Sequence, residues 1–464
     1  LIDWVKHQRR DDYWKHGSVC EDYSLIKCPV YAVGGWSDSY TNSVLRLMQG
    51  LSGPRKAIIG PWGHQYPHQA LPGPAIGYLQ EALRWWDQWL KDTDTGILDE
   101  PMIRVWMQEY AKPAAVPTIR PGRWVAEPVW PPDADNSRVY HLTNKGLSDQ
   151  PGAGSILINS AQTLGQTCVS WIGGGGGQPD EPTDQSLDDG GSVCFDLMVA
   201  EEFEILGTPK VVVEVASDKP NAILCARLCD VAPDGTSSRV SYGVLNLTHR
   251  DGHAQPTAMV PGKPYRVTVK LNDAARTFAA GHTLRLALSN AYWPVIWPSP
   301  EATNLTLNLA DSRLLLPVRS PRKMDADLAE FGPAVCSPVQ SQTPIRLALP
   351  QVVEVTRDVR TGQVTTRQVN DGGRFRIDAS GWEYGSYSER DRVVAADNPA
   401  TAECHSRAIN EWGREGKHEF RIETEQVMQC NSGEFIIEAS MRAYESDEPI
   451  FSRSWLERIP RDLV

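Results

Sequence analysis

Pro29-Val-Tyr-Ala-Val-Gly-Gly-Trp-Ser-Asp38 and Arg55-Lys-Ala-Ile-Ile-Gly-Pro-Trp-Gly-His64 decide how the first part of this 464-residue chain is read. Each opens on a short apolar run, Pro29–Gly34 and Arg55–Gly60. Both runs contain β-branched residues and are bounded by Pro or Gly, as buried strands are. Between them Thr41–Leu51 reads as a short helix, with Val44, Leu47 and Met48 on one face. A strand–helix–strand unit belongs to a parallel sheet covered on both faces. Just past each strand stands a side chain fit for acid–base work, Asp38 or His64. In open α/β sheets that end of the strand is where sites are built, and successive parallel strands bring those ends together.

A carboxylate accepting a hydrogen bond from one imidazole nitrogen fixes the tautomer and leaves the other nitrogen free as a base. Asp38 and His64 are therefore the candidate catalytic pair, in the Asp-then-His order of the α/β-hydrolase sheet. The same residues allow a structural reading. Asp38 could cap the helix that follows, since Asp is a favoured N-cap, and His64 could be a loop histidine beside His68. Ser37 and Ser39 flank the acid but sit in no strand–turn–helix elbow, so neither is expected to be a nucleophile. Trp36, Trp62 and Tyr66 are candidates for a substrate pocket, against packing on the neighbouring helix.

Outward from this unit, Ile76, Leu79, Leu83, Trp86 and Leu90 recur at helical spacing in Ile76–Lys91 and predict an amphipathic helix. Trp85, Trp86 and Trp89 are expected to cover the sheet. Ten of the sixteen tryptophans lie at or before Trp130, which separates an aromatic-rich first part from the rest. From about Asn136 to Pro350 short runs such as Lys210–Ala216, Ala222–Leu228, Tyr265–Leu271 and Leu284–Ser289 are divided by Gly, Pro, Asn and Asp, the pattern of a β-sandwich or jelly roll. His282 reads as a strand-edge or core histidine. Cys225 and Cys229 fall on one face of a strand as buried, inert thiols. Gly173–Gly177 lacks the flanking strand, helix and Lys of a phosphate cradle. Asn246-Leu-Thr and Asn304-Leu-Thr match a glycosylation acceptor only by chance, since both lie in strand-like runs. The last stretch, Leu347–Val464, is again β-rich: a third domain or hairpins added to the sandwich.

Hydrophobic residues at 41% and charged residues at 22% exclude a disordered or fibrous chain. A net charge of −12 argues against a nucleic-acid partner, which needs a basic face. No run reaches the roughly 18 apolar residues of a membrane span. Nine cysteines without a Cys-x-x-Cys pair argue against a disulfide framework or zinc site, which favours a reducing, cytoplasmic compartment.

Several ordered motifs over about residues 10–345 carry a family resemblance. Gly34-Gly-Trp-Ser-Asp38 and Gly60-Pro-Trp-Gly-His64 resemble the acid and base motifs of the CocE/NonD hydrolases, the X-Pro dipeptidyl-peptidase-like α/β-hydrolases. Glu81-Ala-Leu-Arg-Trp-Trp-Asp-Gln-Trp-Leu-Lys-Asp-Thr-Asp-Thr-Gly96 resembles the helix that follows the family's histidine, and Asp12-Tyr-Trp14 the end of its helical cap. Gly207-Thr-Pro-Lys-Val, Asp230-Val-Ala-Pro-Asp-Gly and Phe278-Ala-Ala-Gly-His-Thr-Leu-Arg-Leu resemble its C-terminal jelly roll.

The resemblance implies an α/β plus β architecture: the end of a helical cap (1–25), the C-terminal part of an α/β-hydrolase domain (26–130), a jelly roll (131–346) and a β-rich extension (347–464). It implies a serine hydrolase acting on a small-molecule ester or amide, with Asp38 and His64 in its triad and no cofactor or metal. The alternatives are an X-Pro dipeptidyl-peptidase and, from another class, a non-catalytic β-sandwich binding module or inactive remnant. Self-association is compatible with the sequence. The family's Gly-x-Ser-Tyr-x-Gly elbow, upstream of the acid, does not occur here, nor does its upstream oxyanion tyrosine. The chain, which starts at Leu1, is therefore expected to be the C-terminal portion of a longer protein and inactive alone, because a triad acts as a unit.

Overall fold

The computed structural model describes residues 1–132, 137–168, 181–414 and 418–464; Gly173–Gly177 lies outside them. Two short helices, α1 (Ile2–Lys6) and α2 (Asp12–His16), precede β1 (Val30–Gly35), α3 (Thr41–Gly50) and β2 (Arg55–Gly60). The two strands pair in parallel with Val30 opposite Arg55 and Gly35 opposite Gly60, as the apolar runs predict. Val44, Leu45 and Met48 of α3 are buried against them with Ala57 and Ile59.

The helix predicted over Ile76–Lys91 forms as α4 (Tyr78–Leu90), but its buried side differs from expectation. Trp85 is buried, its ring 5.2 Å from that of Tyr31 on β1. Glu81 is buried too, where it meets Arg84 at 3.0 Å. Leu79, Leu83, Trp86 and Leu90 are exposed, so Trp86 does not cover the sheet. Two apolar rows compete for this helix. The row that carries Trp85 faces the sheet, and beside it Arg84 and Lys56 both reach Glu100 (2.6 and 3.3 Å).

After β2 the sheet continues through β3 (Ile103–Gln108), with β4 (Gly122–Glu127) antiparallel at its side. The following strands are β5 (Ser137–Thr143), β6 (Gly146–Ser148), β7 (Ser155–Ile158), β8 (Val193–Met198), β9 (Phe203–Gly207), β10 (Lys210–Ser217), β11 (Ile223–Val231), β12 (Ser237–Asn246), β13 (Tyr265–Lys270), β14 (Ala274–Phe278), β15 (Thr283–Ser289) and β16 (Leu305–Arg319). They form a two-layered sandwich. One layer runs β14-β9-β16-β10-β13 and joins the parallel unit edge to edge through β3 and β14; the other runs β12-β11-β15-β8. Ile205, Val211, Val213, Leu224, Leu228 and Leu286 fill the space between the layers.

Every residue of β11 is buried, the charged Arg227 and Asp230 included, so neither face of the strand meets solvent. Its outer face, carrying Cys225, is covered by Leu164, Tyr242 and Tyr292. Burial pushes the Cys225 and Cys229 thiols up to about 12, which keeps them unreactive.

The tail is a separate sheet of β17 (Gln342–Arg346), β18 (Val352–Arg357), β19 (Gln363–Ile377), β20 (Trp382–Ala395), β21 (Asn398–Arg414), β22 (His418–Cys430), β23 (Glu434–Glu445) and β24 (Glu448–Pro460). Successive strands from β19 onward pair antiparallel. The runs expected at Gln363–Val369 and Arg374–Ile377 are one strand. Asp371-Gly-Gly, which reads as a turn, is a bulge inside it, with Gly373 at φ +69°. One end of this sheet is anchored: Val394, Cys430, Phe435, Ile437 and Ile459 pack on Trp293, Trp297, Ile2 and Val5.

Candidate active site

The parallel ladder of β1 and β2 runs on into the loops beyond them. Trp36 N donates to Gly60 O (2.8 Å) and Ser37 N to Trp62 O (3.0 Å), so the two loops leave the sheet side by side. Their approach needs Gly35: a Cβ there would stand 2.0 Å from the Trp62 carbonyl oxygen. Trp62 anchors the second loop from beneath, 1% exposed, with its indole N–H donating to Pro74 O at 2.8 Å.

These loops bring Asp38 and His64 into contact. His64 Nδ1 lies 2.9 Å from Asp38 Oδ2. The Asp38 side chain is 11% exposed and that of His64 is 55% exposed, so a shielded acid stands behind an open imidazole. Asp38 does not cap α3, whose N-cap is Tyr40 with no side-chain hydrogen bond; Asp38 Oδ1 instead accepts the backbone N–H of Tyr40 at 2.8 Å, in the turn before the helix. That bond fixes the carboxylate's orientation, and the carboxylate in turn orients the ring. His64 Nε2 has no hydrogen-bond partner among the described residues. The Tyr40 ring, 5.4 Å from the imidazole, forms one wall. Its place two residues after Asp38 was the signal available in the sequence.

Ser37 Oγ donates to Pro61 O (3.0 Å) and to the Glu181 carboxylate, not to His64. No hydroxyl among the described residues meets the imidazole. Of the three pocket candidates, Trp62 is a core residue and offers no surface to a ligand. Tyr66 is 68% exposed and stacks on His68 and Tyr78, 6.0 and 6.1 Å away. Trp36 is half-buried, donates to Trp106 O at 2.7 Å, and borders a cavity with Asp38. That cavity also has Arg120, Glu181, Arg239 and Arg276 in its walls, residues from distant segments that no local pattern connects. His282, outside this site, holds Asp230 Oδ1 at 2.7 Å just before β15. No group of three or more metal-ligating side chains occurs among the described residues.

Comparison with known proteins gives the chain its relatives. The sequence profile described as the X-Pro dipeptidyl-peptidase C-terminal non-catalytic domain matches residues 95–328, and that of the X-Pro dipeptidyl-peptidase S15 family matches residues 1–66. The first match begins well before residue 131 and takes in β3 and β4. A cocaine esterase from Rhodococcus sp. (strain MB1 Bresler) is 22% identical over 328 residues, 63% of this chain and 55% of that protein. A putative Xaa-Pro dipeptidyl-peptidase from Bacillus cereus is 24% identical over 317 residues, 66% of this chain and 49% of that protein. The crystal structure of a CocE/NonD family hydrolase from Staphylococcus aureus superposes with a TM-score of 0.52 at 14% identity, covering 67% of this chain and 57% of that one. The chain thus spans about half the length of the curated relatives it matches.

Proposed function

The chain belongs to the CocE/NonD family of X-Pro dipeptidyl-peptidase-like hydrolases, and we propose that it carries the acid and the general base of a serine acyl-transfer centre. In this reading residues 26–130 are the C-terminal part of an α/β-hydrolase domain, residues 131–346 its jelly roll and residues 347–464 a β-rich extension. The observation that carries the proposal is the 2.9 Å contact between Asp38 and His64 at the ends of neighbouring parallel strands, with the His64 side chain 55% exposed.

The nucleophile is a serine on a segment outside these 464 residues, since no Gly-x-Ser-x-Gly elbow occurs among them. The sheet has room for that segment. Among the described residues β1 pairs only with β2, so its other edge presents unpaired N–H and C=O groups to a further parallel strand. The exposed row Leu79, Leu83, Trp86 and Leu90 on α4 offers apolar surface for a covering helix.

His64 Nε2 removes the serine proton as the hydroxyl attacks an ester or amide carbonyl, and returns it to the leaving group as the tetrahedral intermediate collapses. Asp38, already bonded to Nδ1–H, stabilises the imidazolium between those steps without taking the proton. The same base then activates water to release the acyl-enzyme. A simple esterase or acylase is favoured over a dipeptidyl-peptidase, which needs an anionic subsite for the substrate's free amino terminus.

The test is hydrolysis of 4-nitrophenyl acetate by the natural polypeptide. His64→Ala lowers kcat by about 10³-fold or more, and Asp38→Asn by a large factor of the same kind. Unchanged turnover in His64→Ala would sink the assignment.

A further inference from the structure

The two faces of the tail sheet differ in chemistry. Residues opposite one another in an antiparallel ladder share a face, so the register sorts the side chains. One face carries the ion pairs: Arg374 reaches Glu383 at 2.7 Å, and Arg367 reaches Glu389 and Asp391 at 3.0 Å. The other face starts at the anchored end with Val394 and Ala402, in the cluster that holds Trp293.

From Ala402 to Trp412, about 33 Å along an extended strand, β21 leads to a row of rings on that second face. Phe375, Tyr384, Trp412 and Phe420 stand directly opposite one another on β19, β20, β21 and β22. The Phe375 and Tyr384 rings are 6.1 Å apart and inclined by 34°, and those of Trp412 and Phe420 are 6.3 Å apart and inclined by 30°. Tyr384 is 43% exposed and the other three are half-buried. The next two rows toward the anchored end carry no charge. Ser386 and Asn410 lie in the first, and Asn370, Ser388 and Thr424 in the second. Asn370, Ser386 and Asn410 are exposed, and among the described residues their side chains make no hydrogen bond.

Rings flanked by idle amides and hydroxyls suit a ligand with apolar faces and a rim of hydroxyls. A pyranose is such a molecule: its C–H face lies on a ring, and its edge bonds groups that both donate and accept. Neighbouring strands are about 4.8 Å apart, close to the advance per sugar in an extended chain, so each ring meets about one sugar. Charge disfavours a polyanion. The row ends on Glu445, opposite Phe420, and the net charge of the chain is −12. The cations on this face of β20 and β21 nearest the rings are Arg414, one row outside them, and Arg390, behind the two uncharged rows.

We propose that this end of the tail sheet binds a neutral oligosaccharide, with the ring row as its platform and Ser386 and Asn410 as hydrogen-bonding partners. The site is separate from the Asp38–His64 pair and does not rest on the hydrolase reading.

The experiment uses the natural polypeptide. Cellohexaose, laminarihexaose and maltohexaose are titrated by calorimetry into the wild type, with a heparin hexasaccharide and an eight-nucleotide DNA single strand as charged counterparts. The expected result is binding of at least one neutral hexasaccharide and of neither polyanion. Trp412→Ala is expected to weaken that binding at least about 10-fold, as the loss of a central aromatic contact does. Asn410→Ala is expected to weaken it about 2- to 10-fold, the range of one neutral hydrogen bond. Should Trp412→Ala fail to fold, Tyr384→Ala, at an exposed ring of the same row, serves with the same expectation. Glu425→Ala, on the ion-paired face, is expected to leave binding unchanged.

No binding of any neutral hexasaccharide overturns the proposal, as does binding that survives both ring substitutions. Binding of a polyanion as tight as that of the best neutral chain overturns the ligand class. An equal loss in Glu425→Ala overturns the placement on the ring face. Sedimentation of the same proteins supplies the last outcome: a dimer that Trp412→Ala dissociates gives the ring row to a second copy of the chain and overturns the sugar site.

Discussion

The sandwich and the tail are both antiparallel β-structure, yet they are held together differently. In the sandwich, strands of mostly 5 to 10 residues bury one face or both, and their side chains meet across two layers. In the tail, strands of 12 to 17 residues run from β19 to β24 with few buried positions, and Arg and Glu recur among their cross-strand neighbours. Arg367, for instance, reaches both Glu389 and Asp391 at 3.0 Å. Length of ladder and number of ion pairs are greater in the tail, while apolar burial is concentrated in the sandwich. Burial carries most of the stability of a sheet, whereas half-exposed ion pairs contribute little. The tail should therefore depend on its one anchored end.

Four measurements would break or sharpen that contrast. Leu286→Ala, a fully buried change between the two layers, is expected to cost about 2–5 kcal/mol of stability in chemical denaturation. Phe435→Ala, at the anchored end beside Trp297 and Arg461, should cost about 3 kcal/mol. Its loss should show as an earlier tail transition and faster proteolysis between β21 and β24, with the sandwich transition unmoved.

The third is a pH experiment. Arg9 hydrogen bonds hold Asp462 below the usual carboxylate range. A carboxyl depressed in the folded state stabilises above its ordinary pKa of about 4, and that contribution is lost as the pH falls through the lowered value. The stability difference between the wild type and Asp462→Asn should therefore be present at pH 6 and shrink toward zero on acidification. The smallest effect is expected for Arg367→Ala, about 0–1 kcal/mol despite its two ion pairs. A loss there equal to that of Leu286→Ala would show that the two sheets are stabilised alike.

Local pattern carried far in the parallel unit and stopped short elsewhere. β2 forms where its apolar run predicts it, and β1 lies one residue along from its own, because Pro and Gly mark strand ends whatever packs against them. α4 is legible as a helix but not in its orientation, since two apolar rows are available and which one meets the sheet depends on contacts remote in sequence, such as that of Trp85 with Tyr31. Trp62 reads from sequence as a pocket candidate because an aromatic beside the His64 loop is equally suited to lining a site or anchoring the loop. Asp371-Gly-Gly looked like a turn because a bulge uses the same residues.

By itself, the sequence determined where strands begin and end and which acid and base stand at their ends, because those properties follow from a few neighbouring residues. It also determined the family, through motifs kept in order along the chain. Only the tertiary structure decided that Nδ1 of His64 faces Oδ2 of Asp38, that β3 meets β14, and that Arg239 comes to a cavity beside the acid. Each of these joins residues remote in sequence, and contacts of that kind depend on the packing and register of the whole chain.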